Sequence, residues 1–358
     1  MKLLVIANLY PSKKDPSYGT FIRNFVDGVK YREELEKIDL CVIKGRSHNF
    51  LEKIYKYIYF FLKTLYYLLF RNYDIVYNHM THGAIPIRLV SLVKPLNLVF
   101  NLHGGDLLPR NKTNRILLKI AMPLFCKAKM IVVPSCFFKN KVKELIPQIP
   151  DAAIYVSASG GVASSFYHYI DKKSINEKFV VGFVSRVDKG KGWKDFIIAL
   201  KKLHSQGIGI NGIIAGNGFQ IPQMLEFLDT QGANEYIDYV GPLAYEELPS
   251  LYSQMDLFIF PTLLQESLGL VGIEAMACGV PIIASKIGGI TDYVQDGYNG
   301  YFFTPGDSDG ITKSVNNFLK LSNEEKSIMR RNAYTTSLRY DANLIMDNLY
   351  KKILAIVN

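Results

Sequence analysis

The chain has 358 residues, of which 49% are hydrophobic and 21% charged. That length exceeds a single core and suggests two domains of about 150–200 residues, and the composition excludes a disordered or collagen-like chain. The formal charge of +10 favours an anionic partner (a phosphorylated ligand, nucleic acid or anionic lipid) without choosing among them.

The opening segment, MKLLVIANLYPSKK, has an apolar run too short for a secretory signal and lacks a small-residue cleavage site, so it reads as a first strand over 2–7. Further aliphatic runs at 38–43, 74–77, 98–102, 130–133 and 153–156 complete a first set of candidate strands. A second set lies at 179–185, 212–215, 236–240, 256–261, 281–285 and 300–303. Helical patterns separate them, among them 50–71, 112–127, 192–206, 244–254 and 268–278, and the chain is helical from about 322, ending in 341–357. Continuous rather than alternating apolar strands imply burial on both faces, and strand–helix alternation implies parallel sheets. The polar stretch SSFYHYIDKKSINEK at 164–178 is the expected hinge. The expected architecture is therefore α/β: two doubly wound, Rossmann-like domains facing a deep cleft. Residues 1–170, with a final helix 338–358 crossing back, form the first domain, and 171–337 the second. Ligands of such domains lie at the carboxyl ends of the strands.

Cys41, Cys126, Cys136 and Cys278 stand singly, without CxxC or Cys/His clusters, which points away from disulfides and zinc and towards a reducing, cytoplasmic compartment. The longest apolar stretch, 54–70, is interrupted by Lys56 and Lys63 and falls short of the roughly 20 uncharged residues that a membrane span needs. Within 50–71, five tyrosines and a narrow polar stripe of Lys53, Lys56 and Lys63 suit a helix lying in a membrane interface. The alternative is an amphipathic helix packed on the first sheet with its tyrosine hydroxyls reaching water.

The chemistry-bearing stretches all fall at expected strand ends. PSYGTFIRN places Gly19 between the first strand and first helix, where glycine allows close backbone approach. LVFNL runs into HGGDL, putting His103, Gly104, Gly105 and Asp106 at a strand tip. GFVSRVDKGKGWKDFIIAL carries Arg186 and Lys191 out of a strand together, two cations placed to clamp a diphosphate and neutralise charge on a leaving phosphate. It is not a Walker loop, since GxxxxGK[ST] is missing. IIAGNGFQ sets Gly216 and Gly218 after the next strand. PTLLQESLGLVGIEAMACGVP then holds Glu266 in a loop and, eight positions on, Glu274 inside an otherwise apolar helix. The amides of Leu268, Gly269 and Leu270 are expected at that helix start, able to hold an anion, and carboxylates suit pairs of sugar hydroxyls. An unpaired carboxylate at 274 would be costly. The plain alternative is a helix-capping Glu266 and a solvated Glu274. Asp307 and Asp309 form a DxD pair after FTPG, where Asp307 fits a helix N-cap better than a metal ligand.

Taken in order, GFVSRVDKGKG, IIAGNG, YVGPLAYEELPSLYSQMDLFIFPT, QESLGLVGIEAMACGVPIIAS and GGITDYVQDGYNGYFFTPGD resemble the GT-B glycosyltransferases of family 4, retaining enzymes that use nucleotide-sugar donors. The resemblance is dense over about 180–310 and thinner before it, where YPSKKDPSYGTFIRN and NLHGGDL look like acceptor-domain loops of members that build bacterial surface polysaccharides. It implies that Glu266 holds donor-sugar hydroxyls and that Glu274 accepts from the ribose. Arg186 and Lys191, with the amides of Leu268, Gly269 and Leu270, would bind the diphosphate, and Gly19 would give room near it. Gly216, Gly218 and the backbone of Val240, Gly241 and Pro242 would meet the nucleotide. His103 would approach the donor sugar and Asp106 would orient the acceptor or His103. The chain departs from the family pattern at Leu268, Asp292 and Thr262 and in having only Gly19 in the first loop.

The resemblance implies no metal and no cofactor beyond the nucleotide-sugar co-substrate. The expected acceptor is a glycan, lipid-linked, and the 50–71 helix with the net charge suits peripheral contact at the inner face of the plasma membrane. Retention would run by same-face attack, since no carboxylate stands out as a nucleophile. A nucleotide-sugar epimerase of the same architecture is the alternative, and would act on the donor alone. A glycoside hydrolase would use two carboxylates but has no need of the Arg186–Lys191 pair. A nucleic-acid or polysaccharide-binding module lacks a matching motif. The base, the sugar and the acceptor are not legible in the chain.

Overall fold

A computed structural model describes residues 1–16, 18–109, 111–167, 169 and 179–357. The chain divides into two compact units, Met1–Gly161 with Asn343–Asn358, and Val162–Ala342. The unit boundaries thus fall at 161/162 and 342/343, where the sequence suggested 170/171 and 337/338. Most of the expected hinge, residues 168 and 170–178, lies outside the described residues.

In the first unit the strands are β1 (Lys2–Tyr10), β2 (Lys37–Lys44), β3 (Ile75–His79), β4 (Leu98–Asn101), β5 (Met130–Val133) and β6 (Ile154–Val156). They form one parallel sheet in the order β2-β1-β3-β4-β5-β6. Alternate residues of the same strand serve opposite faces. Leu4, Ile6, Val76 and Phe100 enter one buried cluster, while Leu3, Val5, Ile75 and Val99 enter the other. That is why these strands read as unbroken apolar runs. The helix Phe50–Phe70 covers the first face through Phe60, Thr64 and Leu68. The helices Thr20–Lys30 and Ala342–Val357 cover the second, where Met346 packs so closely on Gly28 that a Cβ there would lie 2.7 Å from Met346 Cγ. Arg32 and Asp347 form an ion pair across these two helices.

In the second unit β7 (Phe179–Val184), β8 (Ile210–Ala215), β9 (Ile237–Gly241), β10 (Leu257–Phe260), β11 (Ile282–Ser285) and β12 (Gly300–Phe303) form a second parallel sheet. Its order is β12-β11-β10-β7-β8-β9. Beneath it Asp256 is fully buried, and it accepts a bond from Arg330 at 2.8 Å and another from the Val180 amide at 2.9 Å. Each sheet reverses its strand order once, at β1/β3 in the first unit and at β7/β10 in the second. At such a switch the flanking loops diverge to opposite faces and open a crevice beyond the strand ends.

Candidate functional site

At the β7/β10 switch two loops are laced together. Gly190 O accepts from the Leu263 amide at 2.7 Å, and a Cβ on Gly192 would sit 1.8 Å from Pro261 O. Gly192 has φ 81°, so glycine is needed there for both backbone conformation and space. This lacing delivers Lys191 to Glu266: their Nζ and Oε1 are 2.6 Å apart, with side chains 13% and 17% exposed. Thr262 Oγ1 donates to the same carboxylate oxygen at 2.9 Å. From the other side Gly289 N–H donates to Glu266 O at 2.9 Å. The loop residue Glu266 is thereby fixed by backbone, hydroxyl and ammonium together, an arrangement able to present a carboxylate and a cation to one polar ligand.

The other expected phosphate groups are placed differently. Arg186 leaves the same loop as Lys191 but pairs with Asp188 at 2.8 Å, with its side chain 69% exposed. Among the described residues no hydrogen bond or ion pair joins it to Lys191 or Glu266. The helix expected to start at 268 starts at Leu270 and runs to Ala277. Gly269 is its N-cap at φ 84°, a left-handed conformation that ends helix propagation, and Leu268 is buried. Of the three amides expected at the helix start, only that of Leu270 lies within the first turn, because the turn is displaced by two residues.

Glu274 is buried, as its apolar helix requires. Tyr252 donates to its Oε2 at 3.4 Å, and the Tyr245 phenol lies beside it. Burial pushes its carboxyl up to about 7, against the opposing effect of the two phenols. The solvated-helix alternative for Glu274 therefore fails, and the neighbouring phenols offset part of its burial cost. Gly216 and Gly218 are explained by packing: a Cβ would lie 1.9 Å from Ser185 O at the first and 2.2 Å from Val187 O at the second. Their glycine identity thus already follows from two strand ends in contact. Val240 is exposed, and Gly241, at φ 80°, has open space beside it, as a ligand-facing edge requires.

In the first unit Gly19 caps the helix Thr20–Lys30 at φ 77°, and a Cβ there would meet Leu9 C and Tyr10 N at 3.1 Å. His103 opens the short helix Gly104–Leu107, its ring 4.4 Å from that of Phe21. Burial pulls the imidazole down to about 4, so it is neutral at pH 7. Asp106 is 1% exposed. It accepts from the Thr81 amide and hydroxyl at 2.9 and 3.1 Å and from the His103 amide at 2.8 Å. Burial still raises its carboxyl to about 6. An acceptor cannot touch so enclosed a group; Asp106 holds His103 instead.

The sequence reading passed over His79, Thr81, Tyr245 and Tyr252. The signal for the first two was YNHMTHG, polar residues continuing directly from the strand DIVY, as HGGDL does from LVFNL. For the tyrosines it was their seven-residue spacing in AYEELPSLY, two helical turns. Asp307 caps the helix Ser308–Leu319, its Oδ1 accepting from Gly310 N–H at 2.9 Å, and Asp309 pairs with Lys202 at 2.6 Å. Among the described residues no group of three His, Cys, Asp or Glu side chains is placed to hold a metal, and no helix is long and apolar enough to cross a membrane.

Comparisons with known proteins bear on this arrangement. The capsular polysaccharide biosynthesis glycosyltransferase CapM of Staphylococcus aureus is 26% identical over 249 residues, covering 64% of this chain and 62% of CapM. The 2-deoxystreptamine N-acetyl-D-glucosaminyltransferase of Streptomyces fradiae is 31% identical over 139 residues, 38% of this chain and 32% of that protein. The matched regions thus span from about a third to about three fifths of these relatives. The solved structure of Anabaena Alr3699/HepE in complex with UDP superposes with a TM-score of 0.76 at 20% identity, over 99% of this chain and 100% of that one. The fold is thus that of the GT-B glycosyltransferases, two Rossmann-like α/β units each built on a six-stranded parallel sheet. Residues 168–336 match the family model of the glycosyl transferases group 1, and it is with that group that the chain aligns.

Proposed function

We propose that the protein is a retaining glycosyltransferase of family 4 that moves a hexose-type sugar from a nucleoside-diphosphate sugar to a glycan acceptor in surface-polysaccharide synthesis. The observation that carries this reading is the Lys191–Glu266–Thr262 cluster at the β7/β10 switch. Lys191 neutralises the diphosphate and Glu266 exchanges its internal partners for hydroxyls of the donor sugar. The departing phosphate accepts the proton of the attacking hydroxyl on the same face, so that configuration is kept. Arg186, exposed on its loop, closes on the distal phosphate, and Leu270 N–H adds a backbone donor. Glu274 meets the ribose in place of Tyr245. His103 meets the donor sugar as a neutral hydrogen-bonding group. Cationic side chains do the work on the leaving group, so turnover needs no added divalent ion. The family match and the UDP-bound structural neighbour support this over an epimerase.

Calorimetric titration with UDP, the other nucleoside diphosphates and their sugars tests it, since a ligand of the folded state also raises its melting temperature. Glu266→Ala is expected to reduce turnover by about 10²–10³-fold, the effect of removing a polar group that acts on developing charge. Near wild-type transfer by that variant would remove the assignment.

We place the acceptor at a membrane surface. Leu51, Tyr55, Ile58, Tyr59, Leu62, Tyr66 and Leu69 follow one another at helical spacing on Phe50–Phe70 and are all exposed. Lys44 and Lys63 flank a groove beside Tyr55 and Tyr59, which suits an anionic lipid leaflet. Lys56 adds less, because Glu52 and the carbonyls of Lys44 and Arg46 already hold its ammonium. Flotation of the chain with vesicles containing anionic lipid should weaken at least about tenfold in Lys44→Glu/Lys53→Glu/Lys63→Glu. Unchanged flotation would sink the membrane contact and leave the transfer reaction untouched.

A further inference from the structure

Among the described residues Phe219 is the most exposed large apolar side chain, at 92%. It follows the end of β8 by four positions, in the turn 216–220 at the carboxyl edge of the second sheet. A single exposed ring on a loose loop would call for no explanation. This turn is held firmly. Asn217 O accepts from the Val187 amide at 2.8 Å, and Val187 O accepts from the Gln220 amide at 2.9 Å. Gln220 Oε1 accepts from the buried Trp193 Nε1 at 3.2 Å. The Phe219 amide itself donates to Asp188 Oδ1 at 2.9 Å. Bonds on both sides of Phe219 thus fix its backbone, and a ring on a fixed backbone gives up little further freedom when a ligand covers it.

The second oxygen of the same carboxylate holds Arg186, whose Nη1 donates to Asp188 Oδ2 at 2.8 Å. Asp188 is largely covered, but the guanidinium is exposed. One carboxylate therefore ties an exposed cation after β7 to an exposed phenyl ring after β8. On the next strand Val240 presents another exposed apolar side chain, and Gly241 O accepts from the Gly216 amide at 2.9 Å, joining that strand end to the turn. A cation beside a flat apolar surface complements a ligand that is anionic at one end and planar and aromatic at the other. A nucleotide has that form, with its phosphates and its base on opposite sides of one ribose.

We propose that the base of the donor nucleotide stacks on Phe219, with Asp188 holding that ring in register with the Arg186 guanidinium on the phosphate side. A phenyl ring offers no donor or acceptor to the edge of a base, whereas every base has a π face. Phe219 thus adds affinity and leaves the choice of base to hydrogen-bonding groups elsewhere on the edge. The stacking role rests on the reading in which Arg186 and Lys191 bind a nucleoside diphosphate.

Calorimetric titration of the full chain with UDP, CDP, ADP, GDP and dTDP tests the stack in four variants. Phe219→Ala and Phe219→Leu are expected to weaken each diphosphate that the wild type binds by about tenfold or more, the effect of removing an aromatic stacking partner. Phe219→Tyr and Phe219→Trp keep the ring and should stay within about threefold of wild type. Melting temperatures without ligand should not move, because the ring is exposed. Trp193, the chain's one tryptophan, is buried, so the added indole in Phe219→Trp reports separately, and the same diphosphates should quench its fluorescence saturably. Wild-type affinity in Phe219→Ala or Phe219→Leu, or a Phe219→Trp chain that binds without quenching, would overturn the proposal. A lowered melting temperature in Phe219→Ala would do so too, by making the ring a packing group. A wild type that binds none of the five removes the transferase reading and the stacking role with it. A wild type that binds no better than Phe219→Ala removes the stacking role alone.

Discussion

The carboxyl edges of the two sheets treat buried polarity to different degrees. In the second unit the enclosed carboxylates have partners, Lys191 and Thr262 for Glu266 and Tyr252 for Glu274, and among the described residues of this edge Ser285 Oγ is the buried polar atom left without one. In the first unit Asp106 is satisfied, but the neighbouring imidazoles of His79 and His103 are left with unanswered nitrogens. The difference teaches where each edge holds its free energy. A satisfied edge is rigid before a ligand arrives and must trade internal bonds for external ones. An unsatisfied neutral edge offers its hydrogen-bonding capacity outright, at a standing penalty to stability.

Three changes would break or sharpen this contrast. The largest effect is expected from Gly192→Ala, which forces a Cβ against Pro261 O at a positive φ. We expect a loss of about 4 kcal/mol or more in urea denaturation, with nucleotide binding lost as the Lys191–Glu266 loops separate. A mild variant would mean that the lacing does not organise the second edge.

Next comes Glu274, whose carboxyl is raised from an ordinary 4.5 to about 7. Its folded form binds a proton more tightly than the unfolded chain, so its contribution to stability is full below about pH 4.5 and is lost as pH rises through 7. Glu274→Gln keeps the shape and removes the titration. The stability difference between pH 5 and pH 7.5 should shrink by on the order of 2 kcal/mol in the variant. An unaltered slope would show that the phenols leave Glu274 ionised throughout. The smallest effect belongs to Asp307→Ala, which removes the cap at Gly310 N–H. It should cost about 1 kcal/mol in stability, with sugar transfer unchanged, and a collapse of transfer would revive the DxD pair as part of the chemistry.

The periodic part of this protein was legible in the chain itself. The apolar strands, the helix over 50–71, the Asp307 cap and the presence of polar residues at strand tips follow from local chemistry: side-chain alternation, capping and glycine conformations act within a few residues. The E-x7-E spacing from Glu266 to Glu274 was visible too, as was the need for something to offset a carboxylate in an apolar helix. What answered that need was not. Tyr245 and Tyr252 reach Glu274 across 29 and 22 residues of sequence, and Lys191 reaches Glu266 across 75. Only the strand order, which sets β7 beside β10, brings the last pair together. The same holds for His79 and His103, from strands β3 and β4 joined edge to edge. Gly216 and Gly218 drew attention because glycine permits close approach; the tertiary structure adds that the chain's own backbone at Ser185 and Val187 stands within that approach. Local sequence determined which residues stood at the strand ends. Packing decided which of them met, because pairing energies depend on distance and burial that no stretch of sequence carries alone.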